Sequence, residues 1–166
     1  MHKVRLGLIG YGNMGAGHAA QILGGKIPRL VLTAVTQHSS ARRPSLPGVK
    51  VFADPVALLR SGLVDAVLIA TPHPTHAPLA LAALKAGFHV LLEKPFAVHK
   101  AEALQVAAAA KRRPRQIFGL VFNQRTDPYF RKIRDLIRGG TFGAVRRINW
   151  TITNWFRPEA YYKSSS

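Results

Sequence analysis

The sequence predicts a doubly wound parallel α/β sheet, followed by the first helix and strand of a second α+β unit that the chain does not complete. Three observations carry this. A glycine-rich turn, Gly10-Tyr11-Gly12-Asn13-Met14-Gly15, joins an apolar run (Leu6, Leu8, Ile9) to a helix of small residues (Ala16, Ala19, Ala20). Apolar runs then alternate with helical patterns up to about residue 122, which is the pattern of βαβ winding. Those runs are continuous, as in Ala66-Val67-Leu68-Ile69-Ala70, whereas a one-sided sheet would alternate, so both faces are covered. A sheet of this kind opening on G-x-G-x-x-G is of the Rossmann type.

The first strand runs near residues 3–9 and the helix after it near 13–24. Between them Gly10 makes the tight bend, Gly12 lets the backbone approach a pyrophosphate and Gly15 lets helix and strand pack closely. Asn13 and Met14 complete the helix start on which that negative charge sits. Leu30 to Thr36, apolar and partly β-branched, forms a second strand, and Val49 to Phe52 a third. A helix near 54–61 leads to the fourth strand, near 65–70. The helix near 75–86 begins at Thr75, a residue suited to an N-cap. A fifth strand near 88–92, an alanine-rich helix near 100–111 and a sixth strand near 116–121 complete the winding. Right-handed crossovers place the ligand at the carboxyl ends of the strands, beside the switch point after the first strand.

We divide the chain into a nucleotide-binding domain over 1–122 and an incomplete substrate and dimerisation domain over 123–166. The second begins with a helix from Asp127 to Arg138, stopped by Gly139-Gly140, and continues into an alternating strand from Arg146 to Trp155. A lone strand of that length is an unprotected edge, so it must pair with another chain, fold back or stay disordered. A homo-oligomer formed through it is one expectation.

With 166 residues, 48% of them hydrophobic, the chain can bury a real core. It has no cysteine, which excludes disulfides and thiolate metal sites and fits a reducing compartment. Met1 to Lys3 leads straight into strand-like sequence, and no apolar stretch approaches a membrane span. We therefore expect a cytoplasmic protein with no membrane partner. The formal charge of +17 favours polyanions in general. Its densest run, Lys111-Arg112-Arg113-Pro114-Arg115, instead follows a helix whose dipole it complements, with no interleaved aromatics to stack bases. Specific nucleic-acid binding is not expected.

Three segments converge on the carboxyl edge. The first, Thr36 to Arg43, follows the second strand, about 20 residues past the glycines, where an NAD enzyme places an acid for the ribose 2′-hydroxyl. No acid is there; Ser39, Arg42 and Arg43 suit a 2′-phosphate instead, so NADP is expected over NAD. In the second, Thr71-Pro72-His73-Pro74-Thr75-His76, Thr71 and Pro72 are expected to line the cofactor channel and His76 to contact the cofactor, the plainer alternative being a helix-start histidine satisfied by solvent; the two histidines have too few companions for a metal site, and none is expected. The third, Glu93-Lys94-Pro95, ends the fifth strand. A lysine there can hydrogen-bond a substrate hydroxyl or share its proton, the plainer alternative being a surface ion pair with Glu93.

Taken together, Gly10-x-Gly12-x-x-Gly15, Thr71-Pro72 with His76, and Glu93-Lys94-Pro95 resemble the Gfo/Idh/MocA oxidoreductases. The likeness continues through Asn123 to Pro128 and Thr153 to Pro158. The resemblance implies NAD(P)-dependent oxidation or reduction of a hydroxyl or carbonyl of a sugar, cyclitol or similar small molecule. It places Lys94 beside nicotinamide and substrate as the catalytic lysine, with Glu93 in the same motif on the cofactor, and turns Arg125, Tyr129, Trp155 and Arg157 toward the substrate. The family continues into a sheet-rich domain with a catalytic aspartate and histidine that this sequence does not reach. On that reading the chain is truncated, retains nucleotide binding, and needs its acid or base from another chain. A non-catalytic dinucleotide-binding module or remnant is the alternative, and a basic nucleic-acid-binding protein the third.

Overall fold

Leucine, valine and isoleucine dominate the strand segments, and such side chains pack well on a pleated surface that is covered on both sides. The computed structural model describes residues 3–38, 44–153 and 156–163. They form β1 (Val4–Ile9), α1 (Asn13–Leu23), β2 (Leu30–Thr36), β3 (Lys50–Phe52), α2 (Pro55–Leu59), β4 (Ala66–Ile69), α3 (His76–Lys85), β5 (His89–Leu92), α4 (Lys100–Lys111) and β6 (Phe118–Leu120). The six strands make one sheet in the order β3-β2-β1-β4-β5-β6, and every neighbouring pair is parallel. The chain winds outward from β1 to one edge, returns, and winds outward from β4 to the other, so the order reverses between β1 and β4.

The strands feed two cores: β1, β2 and β4 supply both, and β5 supplies one of them. Ile9, Val67, Ile69, Val90 and Leu92 pack with Leu58 of α2, Ala80 and Leu84 of α3, and Val106 of α4. Leu6, Leu8, Leu32, Val35 and Leu68 pack with Ala19 and Ile22 of α1. This is why the strands read as unbroken apolar runs. Each fully buried leucine or valine contributes about 2 kcal/mol of transfer free energy. At the amino ends, Arg5 ties β1 to the start of β4: its backbone N–H donates to Asp65 Oδ2 at 2.9 Å and its Nη2 to Oδ1 at 2.6 Å. The hydrogen bond that Arg5 donates to Asp65, and then the charge of that carboxylate, raise the Arg5 pKa above the ordinary arginine value. Asp54 caps α2 by accepting the Ala57 N–H at 2.9 Å, with Pro55 opening the helix.

The chain divides into two units between Val121 and Phe122. In the second, α5 (Asn123–Thr126), α6 (Pro128–Arg138) and α7 (Glu159–Lys163) are the helices among the described residues. Asp127 caps α6 by accepting the N–H groups of Tyr129 at 2.8 Å and Phe130 at 3.4 Å, and Gly139-Gly140 follows its end as expected. A hydrogen bond from Arg134, and more weakly the positive charges of Arg134, Arg131 and Arg138, hold the exposed Asp135 carboxyl below the usual range.

The strand expected from Arg146 to Trp155 is not formed: residues 146–153 carry no ladder, and Asn154 and Trp155 lie outside the described residues. A period of two in the side chains fixes which faces a strand shows, but a strand also needs a neighbouring backbone, and the described part of this unit offers only helices. Trp150 packs instead on Phe130, ring centroids 5.4 Å apart. The short helix α7 was not anticipated. No helix among the described residues is long and apolar enough to cross a membrane.

Candidate dinucleotide site

The three glycines of the first turn face three different surroundings. Gly10 has φ +97°, in the left-handed region, and a Cβ there would sit 2.6 Å from the Ala70 carbonyl oxygen in the loop after β4. Its N–H donates to Thr36 Oγ1 at 2.9 Å, so the turn is locked to both neighbours of β1. At Gly15 a Cβ would collide with the carbonyl oxygen of Gly10. Gly12, the N-cap of α1, has φ −82° and ψ −168°, a backbone open to any residue, and nothing lies within 4 Å of its would-be Cβ. The fold needs glycine at 10 and at 15. At 12 the chain's own atoms do not. The space above Gly12 adjoins the first-turn N–H groups of Asn13, Met14 and Gly15, which a helix leaves without intrahelical partners, and Met14 is half exposed.

The loop after β4 and the turn after β5 stand beside this turn. A short 3₁₀ segment, His73–Thr75, precedes α3, so Thr75 occupies the expected N-cap position in helical geometry; its hydroxyl lies 2.7 Å from the Pro72 carbonyl and 2.7 Å from Thr71 Oγ1 and caps no N–H. His76, expected against the cofactor, is instead 1% exposed, with Nδ1 2.7 Å from the Pro95 carbonyl oxygen and Nε2 2.9 Å from that of Thr71. Glu93, also expected on the cofactor, is buried: its N–H donates to Ile69, its Oε1 lies 2.7 Å from His18 Nε2, and its Oε2 accepts the Lys94 N–H at 3.1 Å. The ion pair with the Lys94 ammonium is therefore not formed; Lys94 is exposed at the sheet edge, and the Lys94–Pro95 peptide is cis. His18 escaped the sequence reading. It lies on α1 three residues past Gly15, beside the helix face that buries Gly15, Ala19 and Ile22, and that spacing was the available signal.

Contacts thus bring Gly10, Thr71, Glu93 and Lys94 to one end of the sheet, linked through Ala70, His18 and His76. Thr36 is buried, and its hydroxyl is taken by Gly10. Ser39, Arg42 and Arg43 lie outside the described residues. Of the residues assigned to substrate, Arg125, Tyr129 and Arg157 are exposed in the second unit, Arg125 over the Phe122 ring at 5.1 Å, and Trp155 lies outside the described residues. At the opposite edge of the sheet, His89, Arg112, Arg113 and Arg115 line a cleft of about 400 Å³. There Arg113 Nη1 donates to the Ala109 carbonyl at 3.1 Å, closing the end of α4. Among the described residues no three His, Cys, Asp or Glu side chains are grouped to hold a metal ion.

Comparison with known proteins agrees with this geometry. The family model described as an oxidoreductase family with an NAD-binding Rossmann fold matches residues 4–119. An inositol 2-dehydrogenase of Rubrobacter xylanophilus is 36% identical over 145 residues, covering 86% of this chain and 42% of the relative. Among solved structures, scyllo-inositol dehydrogenase of Lactobacillus casei, crystallised with NAD(H) and scyllo-inositol, superposes with a TM-score of 0.78 at 28% identity over 85% of this chain and 42% of that one. Myo-inositol 2-dehydrogenase of Lactobacillus plantarum gives 0.79 at 27% identity, over the same shares of both chains. The chain spans about two fifths of the length of these relatives. It belongs to the Gfo/Idh/MocA oxidoreductases, with their NAD-binding Rossmann fold over residues 4–119.

Proposed function

We propose that this chain binds a nicotinamide dinucleotide across the carboxyl edge of β1, β4 and β5, with NADP preferred over NAD, and serves oxidation or reduction of a hydroxyl or carbonyl on a polyol- or sugar-like molecule. The observation that carries the reading is the empty approach over Gly12, a glycine that the fold does not require. Gly10, Gly12, Asn13, Met14 and Gly15 would hold the diphosphate on the α1 N-terminus, and Thr71 and Pro72 would line the channel beyond. The preference for NADP is supported by the absence of Asp or Glu through Thr36 to Arg43 and by the paired arginines there. The bound nicotinamide supplies or accepts the hydride. Lys94 would donate a hydrogen bond to the reacting oxygen, and Arg125, Tyr129, Trp155 and Arg157 are the residues proposed to orient the substrate.

Calorimetric titration of the chain with NADPH and NADH, at two salt concentrations, tests the first step. The expected result is NADPH binding with a Kd of about 10 μM, tighter than NADH and abolished by Gly12→Asp. No binding of either would overturn the reading. A polyol panel with NADP⁺ then separates enzyme from module, because turnover lost in Lys94→Ala belongs to the enzyme. A non-catalytic dinucleotide-binding module is the second reading, and NADPH binding without turnover on any polyol of the panel is the result that would favour it.

A further inference from the structure

We infer that His18 and His76 are positioning residues, which grip the Glu93-Lys94-Pro95 turn from its two sides and so set where Lys94 stands at the dinucleotide site; this rests on the nucleotide reading above. His18, from α1, meets the Glu93 carboxylate at 2.7 Å, and the other oxygen of that carboxylate accepts the Lys94 backbone N–H at 3.1 Å. His76, from the start of α3, meets the Pro95 carbonyl at 2.7 Å and the Thr71 carbonyl at 2.9 Å. The residues on both sides of Lys94 are thereby tied to other elements, one to the helix of the glycine turn and one to the loop after β4. The lysine side chain itself extends, exposed, from a backbone held on either side.

Where the buried polar groups lie is the second support. Among the described residues the buried polar or charged side chains are Thr36, His76 and Glu93. All three sit at the carboxyl edge, each bonded to a turn that borders the proposed site. Burying such groups costs free energy that an aliphatic residue would not, even when they are well bonded. A sheet held together by two apolar cores has no need of polar groups at one end alone. Their concentration is what precise placement of a turn requires.

The His76 ring also makes the two ties separable. Each carbonyl oxygen only accepts and faces its own ring nitrogen, so the two ties can be removed one at a time. An asparagine amide reaches the place of Nδ1 and can keep the Pro95 tie; a glutamine amide reaches the place of Nε2 and can keep the Thr71 tie.

Two measurements on the full chain decide the matter. In the ligand-free protein, hydrogen exchange at the Lys94 amide should quicken by about tenfold in His18→Leu and in His76→Gln, and stay near the wild-type rate in His18→Gln and His76→Asn. In the titration, His76→Gln should weaken NADPH by about tenfold yet leave 2′-phospho-ADP-ribose, which lacks nicotinamide, within about twofold. A merely structural lesion would weaken both ligands alike. Equal Lys94 exchange in His76→Asn and His76→Gln, or equal loss of both ligands, overturns the proposal. If the wild-type chain binds neither ligand the dinucleotide reading fails, while the exchange comparison still decides whether the grip exists.

Discussion

Gly12, Gly10 and Gly15 separate what the ligand needs from what the chain needs. Gly12→Ala adds a methyl to open space in an ordinary conformation, so the urea midpoint should hold or rise slightly as the unfolded chain loses freedom, while NADPH affinity falls by about tenfold or more. Gly15→Ala forces a methyl into a carbonyl oxygen and should cost about 2 kcal/mol in the same unfolding experiment. Gly10→Ala should cost a similar amount, since it combines a left-handed φ with contact against Ala70. Comparable stability loss at all three positions would contradict this division. The sequence named the three glycines but could not sort them, because Gly15 is fixed by how the turn folds onto the Gly10 carbonyl and Gly10 by the Ala70 carbonyl, 60 residues away in the loop after β4. The same limit hid the grip on Lys94. His18 and Glu93 are 75 residues apart and His76 and Pro95 are 19 apart, and no local pattern encodes which of several histidines meets a given carboxylate or carbonyl.

At the scale of elements, the six strands of the sheet and the helices between them were legible because burial on both faces leaves a continuous apolar record, and only their ends moved by a few residues. The alternating segment after Arg146 misled because alternation reports the faces of a strand and is silent about its partner. Local chemistry was a better guide in α6, where Asp127 precedes Pro128 and caps as its type suggests. Asp127→Ala should destabilise that helix by about 1 kcal/mol. Amide exchange resolved by residue should then quicken from Tyr129 to Arg138 and stay unchanged in β1 and β4, since the two units divide at Val121. A uniform change across both would show that they unfold as one.

The whole molecule carries a formal charge of +17, and the dinucleotide is an anion whose 2′-phosphate adds further charge. Raising the ionic strength from about 0.02 to 0.2 M should slow NADPH association by roughly tenfold in stopped flow, and NADH less, as screening shortens the reach of the field. Identical salt slopes for the two would mean that the extra phosphate gains nothing from the field.

The common direction of all six strands has one more consequence. Every turn that precedes a strand lies at one end of the sheet and every turn that follows a strand lies at the other, with β5 alone separating the ends by about 13 Å. Because the chain has no cysteine, a single introduced thiol is a unique attachment point for a dye. A fluorophore on Arg115→Cys would follow the integrity of the sheet, and one on Met14→Cys its occupancy. Recorded side by side, the two signals turn the protein into its own reference for sensing a nicotinamide dinucleotide.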